Sequence, residues 1–586
     1  MMLRIASKLA LLVFIPSLAF GKNLAFDQAS NTVHPKLTAL SRTMEQRVEK
    51  VTEKVYVAMG YDIANCVMVV GDGGAVVIDV LGNMKSAEQV MTEFRQITDV
   101  PIEALIYTHH HGDHINGALA FVDAERVKNG DVRIFAYKTL MANLAQQAGL
   151  LLPITASRAY FMYGNYLELG PEGRVNTGIG PALISGQTGF IPPTVLIDEK
   201  LTERIAGLTF EMVHVPSEAL DEVAVWIPEL KVLDTGEVLQ GESFPNIYTL
   251  RGDVMRDPVA WVHSIDVLRQ YPAEILVRSH GRPVVGKDNV AALLTAYRDA
   301  IQYVHDQTVR YINKGYTADE LVTVVNALPS HLRDDPNIQE FYGGVKQSVR
   351  AIYNQYLGWF NGDPATLDPL PPKAKAQRYV EAMGGRQAVL ANAEQALADG
   401  DYRWAAEITS YLITLNHADQ AARQIKARAF RPLAYEQVNV TWRNFYLSAA
   451  LEMEGKAPRP LGTQSSGALE ALPLSTVLKQ MPVRIDPSKS EDLQLIGAFA
   501  EAGGPSFAVE IRRGIAQFYD SVPDDPDFTV TGNKRGLFAL AMGMRSLDQL
   551  SAGGEIKVSG SSDAASHFFA SFDPPMPWDS IPVSLH

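Results

Sequence analysis

Between about residues 45 and 285, short apolar runs rich in β-branched side chains alternate with segments of helical period. This alternation predicts a layered α/β architecture. Val67-Met-Val-Val-Gly71 and Ala75-Val-Val-Ile-Asp79 flank the turn Asp72-Gly73-Gly74 and read as a hairpin. Ala104-Leu-Ile-Tyr107, Thr209-Phe-Glu-Met-Val-His-Val215, Val223-Ala-Val-Trp-Ile227, Lys231-Val-Leu233 and Glu274-Ile-Leu-Val277 read as further strands. From about 287 to 455 the period becomes helical throughout, with helices expected over Asn289 to Tyr311, Gln347 to Leu357, Lys373 to Met383 and Arg386 to Ala398. Residues 398 to 416 suggest a helical-hairpin repeat packed by Trp404, Ala405 and Tyr411, which serves as a scaffold or an oligomer interface.

The stretch Gly455 to Gly467 is rich in Pro, Gly and Ser and reads as a linker. Beyond it, Phe507 to Arg512, Asp527 to Thr531 and Glu555 to Ser559 are strand candidates. Lys534 to Met544 and Asp563 to Ser571 have apolar helical patterns.

At 586 residues the chain exceeds one hydrophobic core. Arg4 and Lys8 precede the apolar run Leu9 to Phe20 and small residues at Ala19 and Gly21. That layout is expected for a bacterial signal peptide over 1–21 and places the mature protein in the periplasm or outside the cell. The run is too short to span a bilayer, and no other segment is long and apolar enough to be transmembrane. The cleavage takes two of 52 basic residues and none of 66 acidic ones, so the formal net charge moves from −14 to −16. An acidic surface argues against nucleic acid and anionic membranes, and any anion site must be built locally from Arg or Lys. Cys66 is the single cysteine, so no internal disulfide is possible, and its place in a β-run suggests packing.

Against this background Thr108-His-His-His-Gly-Asp-His114 stands out, concentrating four of thirteen histidines at a strand end. Alternation on an extended segment points His109 and His111 one way and His110 the other. Gly112 is expected to let the chain turn, bringing Asp113 and His114 to the same space. These donors suit two divalent ions, with imidazole favouring zinc, and Asp113 and His114 are catalytic candidates as well as ligands. Glu218, Glu237 and His280 also follow predicted strands and would complete the set. Glu222 and His214 are rivals for the fifth ligand. Three carboxylates and a hydroxide would offset two divalent ions, leaving a nearly neutral site suited to metal-assisted hydrolysis.

The heptapeptide resembles the T-H-x-H-x-D-H signature of the metallo-β-lactamase superfamily. Asp79 matches its first acidic motif residue, which implies a brace for the metal loop rather than a ligand. Glutamates at 218 and 237 make the arrangement similar to the secreted alkyl sulfatase branch. Thr249-Leu-Arg-Gly252, Ser279-His-Gly-Arg-Pro283, Tyr356 to Pro364 and Trp442 to Leu447 carry the same resemblance.

The resemblance implies a metallo-β-lactamase αββα sandwich over 22–286. A helical dimerisation domain would follow over 287–455, then an α+β sterol-carrier-like domain over 456–586. It also implies two Zn2+ per chain, a homodimer and hydrolysis of a small amphiphilic ester such as dodecyl sulfate. Pro245 and Gln347 stand about where the family carries histidines, and neither can act as a general acid. The metal centre therefore looks intact and the anion pocket altered. That leaves another ester, a phosphoester or a lactone, as an alternative, and a lipid-binding protein with a vestigial site as a third reading. Arg251, Arg350 and Tyr353 are the candidate substrate-binding residues, ahead of Arg282.

Overall fold

The computed structural model describes residues 31–149, 151–184, 186–457, 472–574 and 581–585. The expected signal peptide and most of the linker lie outside these residues.

Two sheets form the centre of the N-terminal part. The first runs in chain order: β1 (Arg47–Lys50), β2 (Val55–Met59), β3 (Cys66–Val70), β4 (Ala75–Ile78), β5 (Ile102–Ile106), β6 (Arg133–Tyr137) and β7 (Val195–Ile197). Its first four strands are antiparallel and its last four parallel. The second comprises β8 (Lys200–Ile205), β9 (Leu208–His214), β10 (Val223–Ile227), β11 (Val232–Asp234), β12 (Ile275–Val277) and β13 (Val284–Val285), ordered β13-β12-β11-β10-β9-β8.

The period-2 pattern explains why the sheets stack. Val76, Ile78, Ala104, Ile106 and Phe135 meet Phe210, Met212, Val223, Val225 and Ile227 between the sheets. Alternate residues face outward: Val77, Leu105 and Ile134 pack with Val90 and Phe94 of the helix Met84–Ile97. On the other side Trp226, Leu233 and Leu276 pack with Trp261 and Ile265 of the helix Pro258–Leu268. Each fully buried Val or Ile contributes about 1.5–3 kcal/mol, so a register slip of one residue would reverse that gain along a whole strand. The result is the αββα sandwich.

The helix Lys287–Ile312 also belongs to this layering, because Val290, Leu294, Tyr297 and Ile301 share the core of the second sheet. The sandwich therefore continues past the expected divide at 286. Continuous helical period could not separate an outer-layer helix from the helical region after it.

The following helices, including Arg386–Ala398, Tyr402–Leu415 and Gln420–Tyr435, pack through Val389, Ile408, Leu412 and Ile425. Ala405 is buried and Tyr411 lies against Tyr379, but Trp404 is 44% exposed and does not pack the repeat. The C-terminal sheet has five strands: β14 (Gln494–Glu501), β15 (Ser506–Arg512), β16 (Ile515–Tyr519), β17 (Phe528–Gly532) and β18 (Ile556–Gly560), in the order β16-β15-β14-β17-β18. This part docks on the sandwich, where Leu474 and Val477 share a core with Leu144 and Ala145. Gln480 Nε2 donates to the Ala145 carbonyl at 2.8 Å.

Candidate metal centre

Strand ends converge at one edge of the sandwich. Asp79 directly follows β4, and its φ of +56° is left-handed. That conformation costs a non-glycine residue about 1–3 kcal/mol and persists only where its surroundings hold it. Here they do. The Asp79 carboxylate accepts from Thr108 N (2.9 Å), Thr108 Oγ1 (2.9 Å to Oδ2) and Ser279 Oγ (3.0 Å), and it lies 2.7 Å from His114 Nδ1. It thus ties β4, the histidine cluster after β5 and the loop after β12 together.

Gly112 does not take a positive φ; it opens the short helix Gly112–Ile115 that carries Asp113 and His114. Its need is space, since a Cβ there would lie 2.8 Å from Asn116 Nδ2. Gly236, before Glu237, has both constraints: φ is +55° and a Cβ would lie 2.3 Å from Glu222 Oε1.

Two donor groups result. His109, His111, Glu218 and Glu237 each offer one atom within 4.8 Å of the others, as do Asp113, His114 and His280. Glu237 links the groups: Oε2 lies 3.2 Å from His109 Nε2 and 3.5 Å from His114 Nε2, and Oε1 lies 3.4 Å from His280 Nε2. His114 Nε2 and His280 Nε2 are buried with no hydrogen-bond partner, and buried Glu218 Oε2 lies 3.0 Å from His111 Nδ1. A buried polar atom without a partner costs about 1–3 kcal/mol. Two orphaned imidazole nitrogens aimed at one space, beside three carboxylates, therefore fit a pair of divalent cations.

The far side of each imidazole is held in turn, which fixes ring orientation. His280 Nδ1 lies 2.8 Å from the Ile63 carbonyl and His114 Nδ1 meets Asp79. His110 turns away from both groups, 2.7 Å from Asp221. Glu222, one rival ligand, accepts from Glu237 N at 2.8 Å and lies 3.4 Å from His109 Nδ1, a supporting position behind the ligands. His214, the other, stacks on Tyr137 with ring centroids 3.7 Å apart.

Burial is the strongest single influence and opposes a charged His109, but Glu222 and Glu237 together outweigh it and raise the imidazole to about 9. His111 and His114 are raised well above their ordinary value against the same burial, by Glu218 and by Asp113 with Asp79. Without a cation, the carboxylates hold protons on these rings.

Beside the first group lies a cavity of about 320 Å³ lined by His111, Glu218, Arg251, Asp253 and Arg256 on its polar side and by Leu151, Ile154, Leu220, Val254 and Met255 elsewhere. Arg251 Nη2 lies 2.7 Å from Asp253 Oδ2 and 3.2 Å from His111 Nε2. Arg256 is buried, pairs with Glu218 Oε1 and donates from Nη1 to the Asn246 carbonyl at 2.7 Å. Tyr163 and Tyr342 hydroxyls meet at 2.9 Å nearby.

The other anticipated substrate residues lie elsewhere. Arg350 is a half-exposed surface residue paired with Asp319, and Tyr353 is buried with its hydroxyl donating to the Phe360 carbonyl. Arg282 pairs with Glu242. Pro245 and Gln347 do not line the cavity either; Gln347 donates to Asn246 Oδ1 and the Tyr248 carbonyl and accepts from Trp442 Nε1. Arg256, Asp253 and Gln240 were not anticipated. Gln240 donates to Glu237 Oε1 at 2.9 Å and is fixed by Tyr297 on the helix Lys287–Ile312. A spacing argument from the heptapeptide has no reach to them.

Comparison with known proteins decides the lineage. Residues 59–280 match the metallo-beta-lactamase superfamily model, 317–456 the alkyl sulfatase dimerisation model and 462–581 the alkyl sulfatase C-terminal model. A linear primary-alkylsulfatase of Pseudomonas sp. (strain ATCC 19151) is 42% identical over 530 residues, 88% of this chain and 99% of that protein. The chain belongs to the alkyl sulfatase family. A second member, an (R)-specific secondary-alkylsulfatase of Pseudomonas, is 31% identical over 93% of this chain and 84% of its own length. The solved stereoselective inverting sec-alkylsulfatase of Pseudomonas superposes with a TM-score of 0.88 at 30% identity, covering 94% of this chain and 89% of that one. The protein is accordingly a hydrolase of the alkyl sulfatase family, with a metallo-β-lactamase domain, a helical region and a C-terminal α+β domain.

Proposed function

We propose that this alkyl sulfatase-family hydrolase cleaves alkyl sulfate monoesters, dodecyl sulfate among them, at a pair of zinc ions. The observation that carries this reading is the two donor groups joined by Glu237, opening on a cavity that is polar at one end, where Arg251 and Arg256 pair with Asp253 and Glu218, and apolar at the other. Bound ions would polarise the ester and make a water reactive near neutral pH.

The chain's own residues do the rest. His109, His111, Glu218 and Glu237 would hold one ion and Asp113, His114 and His280 the other, with Glu237 lying between the two groups. Asp79 sets the His114 ring, and Arg256 holds Glu218. Arg251, beside His111, presents paired donors to a tetrahedral oxyanion. Leu151, Ile154, Leu220, Val254 and Met255 receive the start of the alkyl chain and exclude water.

The histidines that do line the cavity bear on which bond breaks. Sulfate is a weakly basic leaving group and departs without a proton, whereas an alkoxide needs a general acid. Of the histidines lining the cavity, His110 is tied to Asp221 and His111 is a ligand candidate. This supports cleavage of the C–O bond, the bond an inverting relative must break. Hydrolysis in 18O-water is expected to place the label in the alcohol; label in the sulfate would reverse the assignment. A panel of dodecyl sulfate, an aryl sulfate, bis-nitrophenyl phosphate and a lactone tests the substrate class. Turnover of another ester with no sulfate release would reject it.

Two further parts of the reading rest on sequence. Residues 1–21, with Arg4, Lys8 and an apolar run, support export to the periplasm or beyond. The match of 317–456 to a dimerisation model supports a homodimer. No described helix is long and apolar enough to cross a membrane.

A further inference from the structure

Asp253 is an unexpected group for an anion pocket. Its carboxylate lines the cavity 2.7 Å from Arg251, 3.6 Å from His111 Nε2 and 3.8 Å from Arg256. A pocket built only to attract anions would leave Arg251 uncompensated. Here Asp253 cancels Arg251, and Arg256 is cancelled by Glu218. The cavity therefore holds two guanidinium groups that each face a carboxylate, Arg251 that of Asp253 and Arg256 that of Glu218, which is shared with the metal centre. Arg251 keeps its directional donors, but its long-range attraction is reduced, and a second negative charge on a bound ligand would face the Asp253 carboxylate at short range.

We propose that Asp253 is a charge filter that admits monoanionic esters and disfavours dianions. The inference rests on the alkyl sulfate reading and sharpens it. An alkyl sulfate carries one negative charge, whereas the sulfate released by C–O cleavage keeps the bonding pair, leaves without a proton and carries two. The same carboxylate that tolerates the substrate thus favours departure of the product and rejects phosphate monoesters, which are dianionic at neutral pH. Phosphodiesters, being monoanionic, would not be excluded by Asp253.

The test uses two non-hydrolysable ligands of equal length that differ in charge, decanesulfonate and decylphosphonate, at mildly alkaline pH where the phosphonate is a dianion. Binding to the metal-loaded protein is measured by calorimetry for wild type, Asp253→Asn and Asp253→Glu, with melting temperatures as a folding check. Wild type and Asp253→Glu are expected to favour the sulfonate. Asp253→Asn retains a group that can accept from Arg251 and should shift the ratio towards the phosphonate by about tenfold or more. Inhibition by inorganic sulfate should strengthen similarly. An unchanged ratio in Asp253→Asn, or a parallel loss of both ligands, overturns the filter and leaves Asp253 as a support for Arg251. If Asp253→Asn does not fold, Asp253→Ser takes its place with the same expected shift. A wild type that never releases sulfate from dodecyl sulfate but shows the predicted ratio would instead refute the proposed substrate.

Discussion

Replacing Asp79 should damage the metal centre without touching a ligand. Its carboxylate takes hydrogen bonds from two groups of Thr108 and from Ser279 and abuts His114 Nδ1, at 2% exposure and in a left-handed backbone. Asn tolerates that backbone, so Asp79→Asn keeps φ and one acceptor oxygen. Its amide nitrogen then faces a hydroxyl and an imidazole N–H where an oxygen stood before. Loss of a group that orients a metal-ligating imidazole typically costs 10–100-fold in metal affinity, about 1.4–2.7 kcal/mol. Asp79→Ala removes every acceptor at once. Four buried donors lose a partner at about 1–3 kcal/mol each before relaxation. Even half of that sum is comparable with a typical domain stability of about 5–15 kcal/mol. Asp79→Asn should therefore fold and bind zinc more weakly, while Asp79→Ala should accumulate poorly and melt early. Chelator competition followed by thermal melting checks both. Wild-type zinc affinity in a folded Asp79→Asn protein would refute the bracing argument.

Arg256→Met should lower stability, by less than the roughly 3–5 kcal/mol of an uncompensated buried charge because His111 still faces Glu218; denaturant unfolding of the metal-free protein reads this directly. Arg350→Ala should leave kcat/KM for dodecyl sulfate unchanged, because that guanidinium sits on the surface against Asp319, and a tenfold loss would return it to the substrate site. Zinc affinity should rise with pH, since His109 carries a proton up to about 9 that a cation must displace, with about a tenfold change per pH unit for each proton released. The sign for stability is opposite. A raised folded value stabilises the metal-free protein below the unfolded histidine range, and that share is lost as pH climbs through about 9. Melting of the metal-free protein across this range provides the comparison.

Ligand candidates were legible where chemistry and strand position coincided. His109, His111, Asp113 and His114 share one heptapeptide, and Glu218, Glu237 and His280 each follow an apolar run, so a strand-end argument reaches the seven side chains that the fold brings together. It failed for Arg350 and Tyr353, because a helical pattern says which residues share a face and not what that face meets. Arg256 and Asp253 lie in a loop, and no period marks loop residues as facing a cavity. In the C-terminal part β14 and β16 were not anticipated. Gln494-Leu-Ile-Gly-Ala-Phe-Ala-Glu501 carries Gly and Ala of low strand propensity, and Gly497 sits there because a Cβ would lie 2.4 Å from the Phe528 ring. Tertiary packing, absent from local pattern, determines that strand.

The central claim is that two cations held by these seven side chains drive sulfate ester hydrolysis. It is tested most directly by titrating zinc into metal-free protein and measuring sulfate released from dodecyl sulfate at each step. Release should be absent without metal and rise to a plateau at two zinc ions per chain. Release that is independent of zinc, or no release at saturation, would contradict the account.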